Sequence, residues 1–413
     1  MIKLDLIHTV AFAGVALFIG YGIRRLIPPL ARYNIPAPVI GGLLVAVIIL
    51  VAQRSGTTLF QFDTALQSPL MIAFFTTIGF GASLSLLKVG GPQVIFFFLI
   101  STVFAIAQNV LGVLVAIPLG MHPLFGVLAG SVTLTGGPAT GLAFAPLFEQ
   151  AGVPSAASVA VAAAMVGIIS GGLIGGPIGT YLIERHKLKE KRAEPVDPVD
   201  IEVPTAANIV EEQMPEPLTE TPSGEDKESY VLLKNLTAIL VAMWAGSWVS
   251  QGFAALGVTL PAYIGAMLVA SVFRNFDDLT GRNGLSQRVI DDLGSAALSL
   301  FIVLALMTLK LWEIAGLALP LLVILLAQVA LIAAVCVWVI YKVMGRDYES
   351  AVISGGFCGF MLGTTANAMA NMETLVEKYG AAPRAFLVVP MVGAFFIDFT
   401  NAVIITVFLN IWK

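Results

Sequence analysis

The chain has 413 residues, of which 58% are hydrophobic and only 12% are charged, and its mean hydropathy is +0.92. A water-soluble domain needs more polar surface than this composition supplies, so most of the chain is expected to lie in a lipid bilayer. The formal net charge of −4 comes largely from one acidic stretch, and no basic patch is present that would hold nucleic acid.

Ten apolar segments approach the roughly 20 residues that a transmembrane helix needs. They are residues 6–23, 38–53, 69–87, 94–118, 157–182, 230–254, 259–273, 292–309, 315–341 and 385–411. The first segment has no small-residue cleavage site after it, which predicts a span and not a signal peptide. Two further apolar stretches, 123–148 and 350–372, are rich in Gly, Thr, Pro and Asn and are predicted to be re-entrant hairpins.

Residues 184–228 form a polar stretch with many prolines and acidic residues and few aromatic ones. Such a composition cannot bury enough apolar area to fold alone, so we expect a flexible acidic linker between two halves, 1–183 and 229–413. If the ten spans alternate, every basic residue except Lys3, Arg54, Lys310 and Lys413 falls on one side. The positive-inside rule then predicts a cytoplasmic linker and two periplasmic termini.

The two halves resemble each other at a nearly constant offset of 224 to 226 residues. Residues 40–46 match 264–270, residues 126–130 match 351–355, and residues 165–167 match 391–393. Each half has five predicted spans, an odd number, so the second half enters the membrane from the opposite side. The sequence therefore predicts an all-α membrane protein of ten helices in two inverted five-helix repeats, an arrangement typical of secondary transporters.

The first predicted hairpin contains a Gly-Gly-Pro turn among threonines, through which a helix cannot pass unbroken. N–H groups at the start of the helix after the turn can bind a carboxylate, and the helix dipole helps them. Glycine lets the ligand approach, and threonine hydroxyls add hydrogen bonds. The candidate substrate-binding residues here are Thr133, Thr135, Gly136, Gly137 and Thr140.

The second predicted hairpin has its own small and polar residues at the equivalent place. Its candidate substrate-binding residues are Thr364, Thr365, Asn367 and Asn371. The two turns are predicted to meet near the membrane midplane. The alternative interpretation is that both stretches are glycine-rich packing faces of full spans.

Asp398 is the one carboxylate deep within an apolar span. A charge there is costly unless it is paired or hydrated, which marks a functional candidate that binds substrate, sodium or a coupling proton. The alternative is a structural hydrogen bond to the neighbouring hairpin. Gln108 and Asn109 either line the path or bridge helices. Cys336 and Cys358 have neither a disulfide nor a metal-binding spacing.

Several blocks along nearly the whole chain resemble the bacterial sodium/glutamate symporter family. They are residues 35–44, 69–75, 128–137, 309–313, 358–360, 370–372 and 389–398. The resemblance implies a homodimer in the inner membrane whose transport domain moves against a scaffold in an elevator-type mechanism. It implies sodium-coupled uptake of L-glutamate, with Asp398, Asn401, Thr135 and Gly359 as candidate sodium ligands.

Other functions stay open at this point. A proton-coupled carrier would use Asp398 as its titrating group. A carrier of another small amino acid or dicarboxylate would bind it through hairpin turns that differ from those expected of the family. A channel is disfavoured because two plugging hairpins suit alternating access. An enzyme is disfavoured because Asp398 has neither a histidine nor a second intramembrane acid near it in sequence.

Overall fold

The computed structural model describes residues 2–54, 59–84, 91–188, 227–255, 261–280, 284–313 and 315–412. Most of the predicted linker, residues 189–226, and the last three residues of the predicted third span, 85–87, lie outside this part. The described chain is helical except for one small sheet, in which Ile2–Leu4 (β1) pairs in parallel with Phe60–Phe62 (β2). The sequence analysis did not predict this sheet.

The described part of the first half contains eight α-helices. They are α1 (Leu6–Leu26), α2 (Pro28–Arg32), α3 (Ala37–Arg54), α4 (Gln67–Gly81), α5 (Gly91–Ala116), α6 (Pro123–Val127), α7 (Gly137–Gln150) and α8 (Ala156–Arg185). A π-helix, Leu128–Val132, continues α6.

Nine α-helices lie in the described residues of the second half. They are α9 (Lys227–Ala255), α10 (Ala262–Thr280), α11 (Gln287–Met307), α12 (Ala318–Val335), α13 (Tyr341–Val343), α14 (Tyr348–Leu362), α15 (Thr365–Tyr379), α16 (Pro383–Phe395) and α17 (Ile397–Trp412). A π-helix, Cys336–Ile340, joins α12 to α13. A 3-10 turn, Leu311–Glu313, follows α11.

Seven helical stretches in the described part are long and apolar enough to cross a membrane. They are α1, α3, α5, α8, α9, α11 and α12 with its continuation. An eighth arises if residues 383–393 and 397–412, bent by 44°, count as one span. Helix α4 has only 15 residues, and the last turns of α10 carry Arg274, Asp277 and Asp278. The protein is thus a multi-pass membrane protein, whereas the predicted ten-span layout stays a prediction.

The helices divide into two groups by the contacts they make. In the first bundle, α1, α3, α4, α9, α10 and α11 pack on one another. In the second bundle, α5 to α8 pack with α12 and α14 to α17. The first bundle has small cores of its own, one around Val303 and Met307 and one around Phe80 and Ile239.

Aromatic rings fill part of the seam between the bundles. Tyr263 of α10 stacks on Phe75 of α4 with ring centroids 4.3 Å apart, and it meets the edge of Phe144 of α7 at 5.4 Å. Tyr263 and both phenylalanines are almost fully buried. This seam lies beside α7, the helix that follows the Gly-Gly-Pro turn.

Candidate functional site

The chain breaks where the first hairpin turn was predicted. Gly130 has non-helical backbone angles, φ −105° and ψ −131°, inside the π-helix that ends α6. Helix α7 then begins at Gly137, whose φ of +67° is a left-handed conformation that favours glycine. Pro138 follows in the first turn of α7, where a missing N–H costs nothing.

The second predicted hairpin also breaks into two helices. Helix α14 ends at Leu362, and α15 begins at Thr365. Thr364 is the N-cap residue of α15, and its hydroxyl oxygen accepts a hydrogen bond from the backbone N–H of Asn367 at 3.4 Å. A threonine in extended backbone is a favourable N-cap, so the sequence explains where α15 starts.

The two breaks lie against each other. A Cβ atom placed on Gly137 would lie 3.7 Å from the carbonyl oxygen of Gly363 and 3.7 Å from Cγ2 of Thr364. The N-terminal ends of α7 and α15 therefore meet, as the sequence analysis predicted. Each end presents backbone N–H groups that have no acceptor within their own helix.

A chain of buried hydrogen bonds joins the two breaks through Gln108 of α5. The Thr135 hydroxyl donates to Oε1 of Gln108 at 2.6 Å, and Nε2 of Gln108 donates to the Met361 carbonyl oxygen at 2.8 Å. Gln328 of α12 donates from Nε2 to the carbonyl oxygen of Gln108 at 2.7 Å. The sequence analysis missed Gln328, although one amide within an otherwise apolar helix was a usable signal.

Ser131, at the first break, is held by two asparagines. Its backbone N–H donates to Oδ1 of Asn109 at 2.9 Å, and its carbonyl oxygen accepts from Nδ2 of Asn401 at 2.9 Å. All three side chains are at most 1% exposed. Yet Nδ2 of Asn109, Oγ of Ser131 and Oδ1 of Asn401 have no hydrogen-bond partner among the described residues. Buried polar atoms without partners are costly, so this cluster is suited to a small polar or ionic ligand.

Asp398 lies one helical turn before Asn401, in the first turn of α17. Residues at this spacing share a helix face, and the helix dipole favours a carboxylate at this position. The Asp398 side chain is half-buried and makes no hydrogen bond to any residue in the described part of the chain. The alternative of a structural hydrogen bond from Asp398 to a hairpin therefore has no support.

Several of the other predicted residues hold the breaks in place. Asn367 donates from Nδ2 to the Ile168 carbonyl oxygen at 2.7 Å, and Asn371 donates to that of Gly171 at 3.0 Å. Both bonds tie α15 to α8. The Thr133 hydroxyl donates to the Leu128 carbonyl oxygen at 2.8 Å. Oδ1 of Asn367 is buried without a partner, so Asn367 keeps one atom for a ligand.

The remaining predicted residues lie at tight packing points. A Cβ atom on Gly359 would come within 2.7 Å of Asn367, so glycine lets α14 and α15 approach each other. A Cβ atom on Gly136 would lie 2.6 Å from Cβ of Thr140. Thr365 packs against Gly393 of α16. Close packing contacts therefore fix these residues in place.

Comparison with known proteins identifies the family. The family described as "Sodium/glutamate symporter" matches residues 2–381. The chain is 40% identical to the sodium/glutamate symporter of Escherichia coli strain K12 over 411 residues, 99% of this chain and 98% of that protein. The chain belongs to the sodium/glutamate symporter family.

A second sodium/glutamate symporter, from Haemophilus influenzae, is 38% identical over 402 residues, 97% of this chain and 96% of that one. Among solved structures, the sodium proton antiporter MjNhaP1 from Methanocaldococcus jannaschii at pH 8 overlaps 99% of this chain and 98% of its own. Its TM-score of 0.44 and identity of 15% are too low to carry an argument. Membership of a symporter family implies that this chain is a transporter.

Proposed function

We propose that the protein takes up L-glutamate together with sodium ions across the bacterial inner membrane. The observation that carries the proposal is the meeting of two helix N-termini, those of α7 and α15, beside the buried Ser131 cluster. Broken helices of this kind bind carboxylates at their N-terminal ends and cations at unwound carbonyl groups. The relatives named sodium/glutamate symporters support glutamate as the substrate and sodium as the coupling ion.

The proposed sodium site centres on Asp398, with Oδ1 of Asn401 and Oγ of Ser131 as further ligands. Carboxylate, amide and hydroxyl oxygens are hard ligands of the kind that hard cations prefer. A sodium ion there would neutralise the unpaired carboxylate and satisfy two buried oxygen atoms that have no partner. Thr135 and Gly359 were also predicted as ligands, but their contacts support roles in the Gln108 network and in packing.

The proposed glutamate site lies between the two breaks. The sequences of both breaks, 128–141 and 358–371, contain neither lysine nor arginine. The carboxylates of the substrate would therefore be balanced by the N–H groups at the start of α7 and α15 and by co-bound sodium. Two buried polar atoms could also bind the substrate: Oδ1 of Asn367 would accept from its ammonium group, and Nδ2 of Asn109 would donate to a carboxylate.

Close glycine contacts support the proposed inverted repeats. Gly20 of α1 and Gly41 of α3 let those helices touch backbone to backbone. Gly246 of α9 and Gly265 of α10 do the same in the second half, at offsets of 226 and 224 residues. In the proposed elevator mechanism, the first bundle is the scaffold and the second bundle carries the substrate. We further propose a homodimer with both termini in the periplasm.

A proton-coupled carrier is the second candidate. The unpaired, half-buried carboxylate of Asp398 favours it, because such a group can take up a proton as well as bind a cation. Uptake that persists without sodium and increases at low external pH would establish this candidate in place of sodium coupling.

The experiment is uptake of radiolabelled L-glutamate into liposomes that contain the purified protein. We expect uptake with an inward sodium gradient and only background uptake with potassium in place of sodium. Folded protein that gives no uptake in either condition would overturn glutamate as the substrate. The next substrates to screen would then be other amino acids and dicarboxylates.

A further inference from the structure

A polar cleft of about 450 Å³ opens between the two bundles, away from the breaks. One wall is the end of α7 and the start of α8, in the second bundle. The other wall is the end of α11 and the turn after it, in the first bundle. Charged and polar groups line it: Glu149, Ser158, Thr308, Lys310 and Glu313. Its volume is in the range of sites that hold small molecules.

The cleft follows one face of α7 toward the first break. Its lining on α7 is Leu142, Ala145, Pro146 and Glu149, and this i, i+3, i+4, i+7 spacing defines a single helix face. From the innermost residue, Leu142, to Gly137 at the break, the helix rises by only about 8 Å. The cleft thus leads from the surface toward the proposed glutamate site and stops short of it.

Glu313 contacts one polar group on each wall of the cleft. The Ser155 hydroxyl, at the start of α8, donates to Oε2 of Glu313 at 2.6 Å. Nζ of Lys310 is 3.7 Å from Oε1 of the same carboxylate, and the Lys310 side chain is 64% exposed. A pair this exposed contributes little, so a carboxylate arriving from solvent can take the place of Glu313 beside Lys310 at small cost.

We propose that this cleft is a second, external binding site for an amino acid that carries two carboxylates and one ammonium group. Lys310 binds a carboxylate of this ligand, and Glu149 and Glu313 bind its ammonium group. The site collects the substrate at the surface and passes it along α7 toward the breaks. This inference rests on the proposed glutamate transport, and it adds a site that contains none of the residues assigned to the breaks.

The test uses a single thiol placed in the cleft. Both native cysteines are buried, so a membrane-impermeant, negatively charged thiosulfonate reagent should label only a new, exposed thiol. In Thr308→Cys, we expect L-glutamate to slow labelling in a potassium medium without sodium. At ten times the dissociation constant, the labelling rate should fall about tenfold, because only about one site in eleven stays free.

The absence of sodium separates this site from the proposed sodium-dependent site at the breaks. Lys3→Cys, an exposed residue outside the cleft, is the control, and its labelling rate should not change. Adding Lys310→Gln to Thr308→Cys should abolish protection. Glutarate, which lacks the ammonium group, should protect less than L-glutamate.

Unchanged labelling of Thr308→Cys in L-glutamate would overturn the cleft site, and so would equal protection of the Lys3→Cys control. Equal protection by glutarate would overturn the choice of an amino acid as ligand. Sodium-driven uptake by the wild-type protein is measured on the same preparation. A wild-type protein that does not take up glutamate would contradict the proposed function and not the cleft assignment.

Discussion

Asn401 donates a hydrogen bond from Nδ2 to the carbonyl oxygen of Ser131 at 2.9 Å, across 270 residues of sequence. The bond joins the last helix to the first break. In the described part of the chain, Oδ1 of Asn401 has no hydrogen-bond partner, and neither has the Ser131 hydroxyl. Asp398 lies one turn before Asn401 on the same helix, and these three groups are the sodium ligands proposed above.

Asp398→Asn tests whether binding of this cation needs the negative charge of the Asp398 carboxylate. We expect sodium-driven glutamate uptake to fall to background, because the variant cannot neutralise the ion. Sodium should raise the unfolding temperature of the wild-type protein, as any ligand of the folded state does, but not that of Asp398→Asn. Asp292→Asn, which changes an exposed aspartate of α11, is the matched control and should behave as wild type. Normal sodium-driven uptake by Asp398→Asn would remove this residue from the mechanism.

Ser131→Ala tests the hydroxyl oxygen. The change removes Oγ and leaves the backbone bonds to Asn109 and Asn401 in place. We expect the sodium concentration for half-maximal uptake to rise about tenfold, which corresponds to about 1.4 kcal/mol of lost binding free energy. Ser101→Ala is a control at a second buried serine, one whose hydroxyl donates to the Phe97 carbonyl oxygen within α5. A sodium dependence of Ser131→Ala that matches the wild-type curve would exclude Ser131 as a ligand.

Two glycines of α8 predict opposite effects on stability. A Cβ atom on Gly167 would overlap the Leu362 carbonyl oxygen at the second break, whereas one on Gly176 would meet no heavy atom within 4 Å. We expect Gly167→Ala to lower the free energy of unfolding by about 1–3 kcal/mol through overpacking. Gly176→Ala should raise the free energy of unfolding by about 0.5–1 kcal/mol, since alanine favours a helix. Thermal unfolding in detergent measures both, and equal shifts would contradict the close approach of α8 to the second break.

Asp347 predicts a dependence of stability on pH. Partial burial acts to raise its pKa, but hydrogen bonds from Arg384 and Ser350 outweigh burial and hold the pKa below the ordinary value of 3.8. The Arg384 contact is 2.5 Å, and Asp347 also caps α14. A carboxylate whose pKa is lowered in the folded state adds stability above its unfolded pKa. That stability is lost as the pH falls through the folded pKa.

The measurement for Asp347 is the unfolding temperature of wild type and Asp347→Asn between pH 7 and acid. We expect the wild type to be the more stable at neutral pH and the difference to shrink as the pH falls below about 3.8. Glu377→Gln, at an exposed position on α15, should show no such trend. A difference that grows in acid would contradict the ion pair.

Much of the candidate site could be predicted from the sequence because the backbone dictates it locally. Gly136, Gly137 and Pro138 cannot continue a helix, and the chain breaks there. Thr364 favours a helix start, and α15 begins immediately after it. Asp398 could be predicted as a functional residue in the same way, because a carboxylate within an apolar span is costly unless it has a role.

The roles of the amides could not be predicted, because they depend on partners that are distant in sequence. Gln108 bonds to Met361 at a separation of 253 residues, and Gln328 bonds back to Gln108 at a separation of 220. Asn371, predicted as a ligand, donates from its amide nitrogen to the Gly171 carbonyl oxygen of α8. Composition did not predict the helix length either. The third span was predicted as residues 69–87, but the described helix α4 has 15 residues.

The conformation of Ser155 has a consequence for the contact between the two bundles. Its backbone is left-handed, with φ 55° and ψ 33°, and its hydroxyl serves Glu313 while leaving α8 without a side-chain cap. A return to extended backbone would relieve this conformation and free the hydroxyl to cap α8. The hydrogen bond lost across the cleft is then replaced by a capping hydrogen bond within α8. The hydrogen bond between Ser155 and Glu313 can therefore be exchanged for a helix cap at little cost, since the released Glu313 carboxylate is exposed to solvent and stays near Lys310.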